Sequence, residues 1–539
     1  MPGPPANDRN LMVVDLDGLK ISVFGGVGGD ERTGEIGGNK ILLEFDDRAY
    51  FLDFGTSFAQ NGKYFDEFLS PRAAVGLKDF LAVGLLPPIE GLYRDDLTLH
   101  DKDFWARHRS HPKYRRLEHV DAVLLSHAHQ DHNGCLGFLK ADIPVYTGLM
   151  TALIGKAMQD IGGGGPEAQY CYVAPKELTK DGLLKGVTGH RIGRPHFIAE
   201  SDEPIRRAKT ELEPFFRSVP GSRTTYAPAA FDHCDLDPDK LRFFRVDHSI
   251  PGSGAWAINT PIGWVCYTGD LRLHGHSGWR TRQMVEQMAA LKPALLIAEG
   301  TNLSDKEPTT EPDVKAASLE VVRREPGLVV ADFSARNIER LRTFHEIAQE
   351  VGRRLVVTTK DAYLLERMHV IDPAIPAPGD GVGILRAQRS SVMAWEAPIL
   401  EGQTAAMVDS AAIRKRPGDY ILCLSYWDIT NLIDIEPDGG TYIYSSSEAR
   451  TEEQRVDQER LGAWLDLWGL KRVGGLPGAE TGPFHASGHI HAAGMQWVID
   501  TIQPASLLPV HTQRRQWFLD RWPDRAVSPT AGSSGSATR

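Results

Sequence analysis

The sequence predicts an α/β protein in which a second α/β unit interrupts the first, whose chain leaves and later returns. Three observations carry that reading. Six short apolar runs of strand length each end directly in a His, Asp or Glu; from about Lys306 the texture changes to alternating strands and helices; and the strand-end pattern resumes at His511.

In chain order, Ala49–Leu52 runs into Asp53, Ala122–Leu125 into Ser126-His127, and Phe243–Val246 into Asp247-His248. Trp264–Thr268 then runs into Gly269-Asp270, Ala294–Ala298 into Glu299, and Ser506–Val510 into His511. Strand interiors supply the apolar residues and strand ends the polar ones, and in open α/β architectures ligands gather at the carboxyl ends of strands. Six such junctions predict one shared site.

Beyond Lys306, Gly327–Ala331, Arg354–Thr358 and Tyr420–Ser425 read as strands. Ala335–Val351 reads as a helix, because Ile338, Leu341, Phe344, Ile347, Ala348 and Val351 recur at helical spacing and give it one buried face. The expected division is a first domain at 11–305 and 481–524, an inserted domain at 306–480, and a disordered tail at 525–539. The Pro-rich start is also expected to be disordered. Segments 56–118 and 155–240, rich in Gly, Pro and charge, give no assignment.

The 539 residues carry 60 Lys+Arg against 71 Asp+Glu, a formal charge of −11. That excludes a broadly basic surface, but not local binding of a polyanion through clusters or bound cations. With 41% hydrophobic and 24% charged residues the composition is that of a globular protein. No apolar run approaches the roughly 18 residues of a membrane span, and the start lacks the basic end and apolar stretch of a signal peptide. A cytoplasmic protein is expected. Cys135, Cys171, Cys234, Cys266 and Cys423 are odd in number and never paired as C-x-x-C, against both a disulfide framework and a thiolate metal knuckle.

The sharpest chemical signal is His127-Ala128-His129-Gln130-Asp131-His132, three imidazoles and a carboxylate in one turn after a buried strand. Imidazole and carboxylate are the usual ligands of Zn²⁺ and related ions, and two alternating pairs can serve two metals side by side. Chance clustering is the competing reading; the preceding strand and the following Asn133-Gly134 favour a site. His248, Asp270 and His511 are the natural further ligands. A dinuclear site would activate a bound water and stabilise charge on a phosphoryl group during in-line displacement.

These motifs resemble the metallo-β-lactamase superfamily, and within it the β-CASP nucleases of the ribonuclease J type. The matching elements are Gly34–Asn39, Leu52–Gly55, Ser126–Gly134, His248–Pro251, Thr268–Asp270, Glu299–Asn302, Ser487–His489 and Pro509–His511. The resemblance implies an αββα sandwich carrying an inserted β-CASP α/β domain. It implies one metal on His127, His129 and His248, a second on Asp131, His132 and His511, and Asp270 bridging them. Asp53 would support the ligands, and His489, held by Glu299, would be the general acid or a phosphate contact. The metals would be Zn²⁺, with Mn²⁺ as the alternative.

The His at 511, where DNA-cutting members tend to have Val, favours single-stranded RNA over DNA as partner. The implied activity is a metal-dependent ribonuclease acting through a metal-held hydroxide, as a 5′-to-3′ exonuclease, an endonuclease or both, in RNA processing or decay. A DNA nuclease, a non-catalytic RNA-binding scaffold and a hydrolase of small lactones or phosphodiesters are the competing readings.

Ser487, Gly488 and His489, with Ser334 and Arg336 of Phe333–Asn337, are candidate substrate contacts; Ser334 could instead simply cap a helix. Basic clusters at 107–116, Arg206-Arg207, Arg414–Arg416 and Arg514-Arg515 read as solvated surface or as an RNA path. His485 and His491 stand close enough to His489 to line the same cleft. The glycine-rich stretch 25–34 reads as a turn and Gly162–Gly165 as a flexible loop, since neither matches a nucleotide fingerprint. Only a short segment follows His511, so the C-terminal domain that helps many ribonuclease J proteins to dimerise is not expected, leaving a homodimer as one assembly among others.

Overall fold

Strand Gly254–Thr260 shows how the sequence builds two cores at once. Side chains alternate across a strand, and here both alternating sets are apolar: Trp256 and Ile258 enter one core, Ala255 and Ala257 another. The same division runs through its sheet. Val265, Tyr267, Leu295, Ile297 and Leu508 join Trp256, whereas Cys266, Leu296, Ala298 and Leu507 join Ala255.

The first core is closed by a second sheet, through Leu19, Ile21, Ile41, Leu43, Leu52 and Leu124. The other core is closed by helices Gly278–Leu291 and Ala492–Ile502, through Met284, Met288, Met495 and Val498. Helix Leu149–Ile161 covers the far face of the second sheet, where Leu42, Phe51, Val123 and Val145 point. The result is a helix–sheet–sheet–helix sandwich, as expected, and each fully buried large apolar side chain contributes about 1.5–3 kcal/mol to it.

This computed structural model describes residues 11–26, 35–66, 68–162, 164–221, 224–234, 236–447 and 452–527. One sheet of the sandwich has eight strands, from Met12–Leu16 at one edge to Phe231–His233 at the other, with Arg48–Leu52 and Ala122–Leu124 parallel neighbours in its middle. The other has five strands, in the order Leu241–Arg245, Gly254–Thr260, Gly263–Tyr267, Leu295–Ala298 and Ser506–Pro509. Its last two strands pair in parallel, Leu295 opposite Ser506, although about two hundred residues separate them in the chain.

Between them the chain builds a separate seven-stranded sheet, parallel throughout, in the order Met407–Val408, Val382–Leu385, Arg354–Thr358, Tyr420–Cys423, Val329–Asp332, Gly440–Tyr444 and Leu470–Gly474. Helices Glu311–Arg324, Ile338–Glu350 and Thr359–Ile371 accompany it.

Several details depart from the sequence reading. Helix Ile338–Glu350 starts three residues later than expected, because the Asn337 side chain accepts from the Arg340 amide and caps it. Ser334 is therefore not the cap; its hydroxyl accepts from the Arg336 amide and Nε instead. The unassigned stretches hold real elements. Helix Glu203–Phe216 and strands His196–Ile198 and Phe231–His233 come from 155–240, and the two strands extend the large sheet.

Of the expected tail, Arg525–Val527 pair with Leu507, whereas residues 528–539, the Pro-rich start, and 27–34 of the glycine-rich stretch lie outside the described residues. All five cysteines are free, four of them buried. Among the described residues no helix is long and apolar enough to cross a membrane.

Candidate metal centre

The six junctions converge. Asp53 and His127–His132 follow central strands of the eight-stranded sheet, and His248, Asp270, Glu299 and His511 follow four of the five strands of the other. Their side chains meet where the two sheets end together.

Three groups of ligand atoms lie within 4.8 Å of one another: His127, His129 and His248; Asp131, His132, Asp270 and His511; and His248, Asp270 and His489. In the first group Nε2 of His127 is 3.1 Å and Nε2 of His248 is 3.2 Å from Nδ1 of His129. Burial pushes His129 down to about 4 and His127 and His248 well below the usual histidine range, so three neutral rings present lone pairs to a common point.

In the second group His511 Nε2 is 3.1 Å from Asp131 Oδ2, and His132 Nε2 is 3.1 Å from Asp270 Oδ2. Burial works against a proton on His132, but the carboxylates of Asp270, Asp131 and Asp53 prevail and raise it well above the ordinary range. Asp131 and Asp270 are correspondingly lowered by the imidazoles against the effect of burial. Such a concentration of carboxylate charge calls for a positive partner. His132 Nε2 and Asp270 Oδ1 are buried yet make no hydrogen bond, which is rare for buried polar atoms. The donor set fits two divalent cations, with Asp270 reaching both groups.

Three of the candidate ligand imidazoles are oriented from behind, as metal-binding imidazoles require. Asp53, fully buried, accepts from the Ser126 amide at 2.7 Å, the Ser126 hydroxyl at 2.7 Å and the Tyr267 hydroxyl at 2.6 Å, and lies 2.7 Å from His132 Nδ1. Thr301 Oγ1 lies 2.7 Å from His511 Nδ1, and the Gly488 carbonyl accepts from His248 Nδ1 at 2.5 Å. A Cβ on Gly55 would overlap the Asp131 backbone, so only glycine admits the His127–His132 turn beside it.

His489 stands beside these ligands. Its Nδ1 is 3.2 and 3.1 Å from the two oxygens of Glu299 and 3.8 Å from Asp270. Glu299 is itself fixed by the amides of Leu271 and Thr301. Above lies a cleft of about 370 Å³ lined by His129, Asp131, His489 and His511 on one side and by Ser334, Arg336, Asn337 and Ser445–Ser447 of the inserted domain on the other. His485 lines it; His491 does not, standing instead at the start of helix Ala492–Ile502.

Arg336 is the one Arg or Lys among the described residues lining this cleft. Elsewhere among the basic clusters, Arg107 pairs with Asp101, Arg414 with Glu436 and Arg416 with Asp419, all at the solvent-exposed surface. Arg514 donates to the Leu303 carbonyl, and buried Arg515 donates to the Val527 carbonyl. Thr301 and Ser126, both within the recognised motifs, were not singled out from the sequence, and Tyr267 precedes one; their partners are distant in the chain and leave no periodic trace.

No protein-family profile matches the chain. Among curated proteins it is 23% identical to a protein named ribonuclease J from Thermus thermophilus, over 95% of this chain and 71% of the relative. It is 21% identical to ribonuclease J of Corynebacterium glutamicum, over 96% of this chain and 55% of the relative. With ribonuclease J of Pyrococcus abyssi the identity is 21%, over 93% and 91% of the two chains. A protein of unknown function from Enterococcus faecalis V583 shares the fold, with a TM-score of 0.62 and 20% identity over 93% of this chain and 96% of that one. Over nearly its whole length the chain is thus similar to ribonuclease J proteins of bacteria and archaea, and it resembles the β-CASP group of the metallo-β-lactamase superfamily, as its motifs indicate.

Proposed function

We propose that the chain is a metal-dependent ribonuclease that hydrolyses phosphodiester bonds of single-stranded RNA in the cytoplasm. The observation that carries this is the meeting of two ligand groups on Asp270, with a Glu299-held histidine beside them at the floor of a cleft between two domains. In this reading the inserted domain spans 306–480 and closes over residues 11–305 and 481–524. His127, His129 and His248 would hold one divalent ion, Asp131, His132 and His511 a second, and Asp270 both; Zn²⁺ or Mn²⁺ suits this mixture of imidazole and carboxylate. When bound, two such ions supply an activated water and offset charge on the phosphoryl oxygens.

The protein's own residues do the rest. Asp53, Thr301 and the Gly488 carbonyl keep the ligating rings in one tautomer and orientation. His489, turned by Glu299 so that Nδ1 faces the carboxylate, keeps Nε2 for donating a proton to the leaving oxygen. Arg336 and Ser334 stand where the phosphate backbone would cross the cleft. The relatives' name and the His at 511 support RNA over DNA.

The test uses end-labelled RNA and DNA of one sequence, bearing 5′-monophosphate, triphosphate or hydroxyl ends, with Zn²⁺- or Mn²⁺-loaded protein. RNA cleavage that disappears in Asp131→Ala is expected. Equal cleavage by that variant would refute the metal assignment, and preference for DNA would replace the substrate. Mononucleotide release dependent on a 5′-monophosphate marks the exonuclease mode, and internal fragments the endonuclease mode.

A further inference from the structure

Two residues beyond Asp270, Arg272 is completely buried, in a protein where a buried guanidinium is costly unless its donors are met. Three carboxylates and a carbonyl from different parts of the fold surround it, although Nε itself makes no hydrogen bond. Nη2 is 2.6 Å from Glu339 Oε2, Nη1 is 3.7 Å from Glu311 Oε1, and Nε is 3.3 Å from Asp247 Oδ2; Nη1 also donates to the Ser487 carbonyl at 3.2 Å.

Each of these partners matters for where it sits. Asp247 immediately precedes His248, and its carbonyl also accepts from the Arg272 amide at 2.8 Å. Ser487 lies two residues before His489, and the adjacent Gly488 carbonyl is the one that orients His248. Glu311 and Glu339 open helices Glu311–Arg324 and Ile338–Glu350, both in the inserted part of the chain. Glu339 further accepts from the amides of His276 and Ser277, and Glu311 is paired with buried Arg340, which in turn donates to the Phe484 carbonyl. One planar fork therefore joins the loops that carry Asp270, His248 and His489 to two helices of the inserted domain.

We infer that Arg272 is a positioning residue: it sets the His489 loop against the metal ligands according to how the inserted domain is seated, so that its loss impairs proton delivery to the leaving oxygen while the metals stay bound. This rests on the hydrolase reading above. Lysine cannot substitute, because an ammonium offers a point charge where four partners need a fork. A reacting group displaced by about 1 Å costs up to about 100-fold, so a fall in kcat of roughly tenfold or more is expected, with KM changed far less.

The test compares Arg272→Lys and Glu339→Gln with the wild type, metal content being measured on each. Glu339 lies on the inserted domain and touches no ligand. Both variants should lose kcat on RNA but keep it on a p-nitrophenyl phosphodiester, whose leaving group needs no proton. The double variant should be little worse than the worse single one, since both break one contact. Amide exchange in the metal-free proteins should rise across residues 484–491 and not in the central strands. Equal losses on both substrates, or exchange rising everywhere, would overturn the positioning role in favour of simple destabilisation. Should Arg272→Lys fail to fold, Glu339→Gln with unchanged kcat would overturn it as well. A wild-type protein inactive on both substrates would bring down the hydrolase reading and this inference with it.

Discussion

Replacing Asp53 with Asn tests the centre at the point where its geometry is most constrained. The carboxylate takes three hydrogen bonds from Ser126 and Tyr267 and faces His132 Nδ1 at 2.7 Å, all in a fully buried setting. As an acceptor-only group it keeps a proton on Nδ1 and thereby leaves Nε2, the atom turned toward Asp270, as the ligating one. An amide presents two N–H donors there. If one faces His132, the ring must accept at Nδ1 and carry its proton on Nε2, which removes it as a ligand.

Groups behind a metal ligand are worth about 10–100-fold in affinity, which converts to about 1.4–2.7 kcal/mol. That loss should fall on the ion proposed for Asp131, His132 and His511. The His127, His129 and His248 group does not touch Asp53 and should keep its affinity within a few-fold. Equilibrium dialysis against Zn²⁺ or Mn²⁺ reads this directly: over a range of free metal the wild type holds two ions and the variant one. Two ions retained with unchanged affinity would refute the role given to Asp53, and loss of both together would refute the division into two sites.

Three further outcomes follow from the same geometry. Glu299→Gln should keep metal stoichiometry yet lower turnover of RNA by about 100-fold or more, the usual scale of general acid catalysis; unchanged turnover would remove His489 from the chemistry. Burial pushes the Asp332 carboxyl up from 3.8 to about 7, despite bonds from Tyr442 and Ser446. The folded protein thus retains a proton that the unfolded chain releases, so stability should fall from about pH 4 to about pH 7 and then level off. Asp332→Asn should remove that slope in melting temperatures taken across the range, and parallel slopes would contradict it. Gly55→Ala should lower the melting temperature and metal content together, overpacking costing about 1–3 kcal/mol, whereas Gly402→Ala, with nothing within 4 Å of its new Cβ, should do neither.

What the chain discloses in one dimension is what is local. An apolar run that ends in a His, Asp or Glu is only four or five residues long, and all six such junctions became strand ends at one place. His127–His132 is a single turn, and its cluster of imidazoles and a carboxylate is visible without the rest. The parts that escaped reading depend on partners far apart in sequence: Tyr267 reaches Asp53 across 214 residues, and Thr301 reaches His511 across 210. Helix Glu203–Phe216 does carry Ile205, Ala208, Leu212 and Phe216 at helical spacing, but Pro204, Pro214 and the charged residues between them masked it. Arg514 is exposed, as a surface patch requires, whereas Arg515 is buried; sequence cannot distinguish a solvated guanidinium from one that answers a buried carbonyl.

The parallel pairing of Leu295–Ala298 with Ser506–Pro509 also imposes an order on assembly. His127, His129 and His248 have all been synthesised before the inserted domain begins, while His489 and His511 are made only after it ends. At about 5–20 residues per second, the roughly 260 residues between His248 and His511 take on the order of 10–50 s to translate. For that interval the nascent chain holds one complete imidazole triad and an unfinished neighbour. The last strand of the sheet therefore brings His511 to its place among the other imidazoles only after residues 306–480, which supply the far wall of the cleft, have been made.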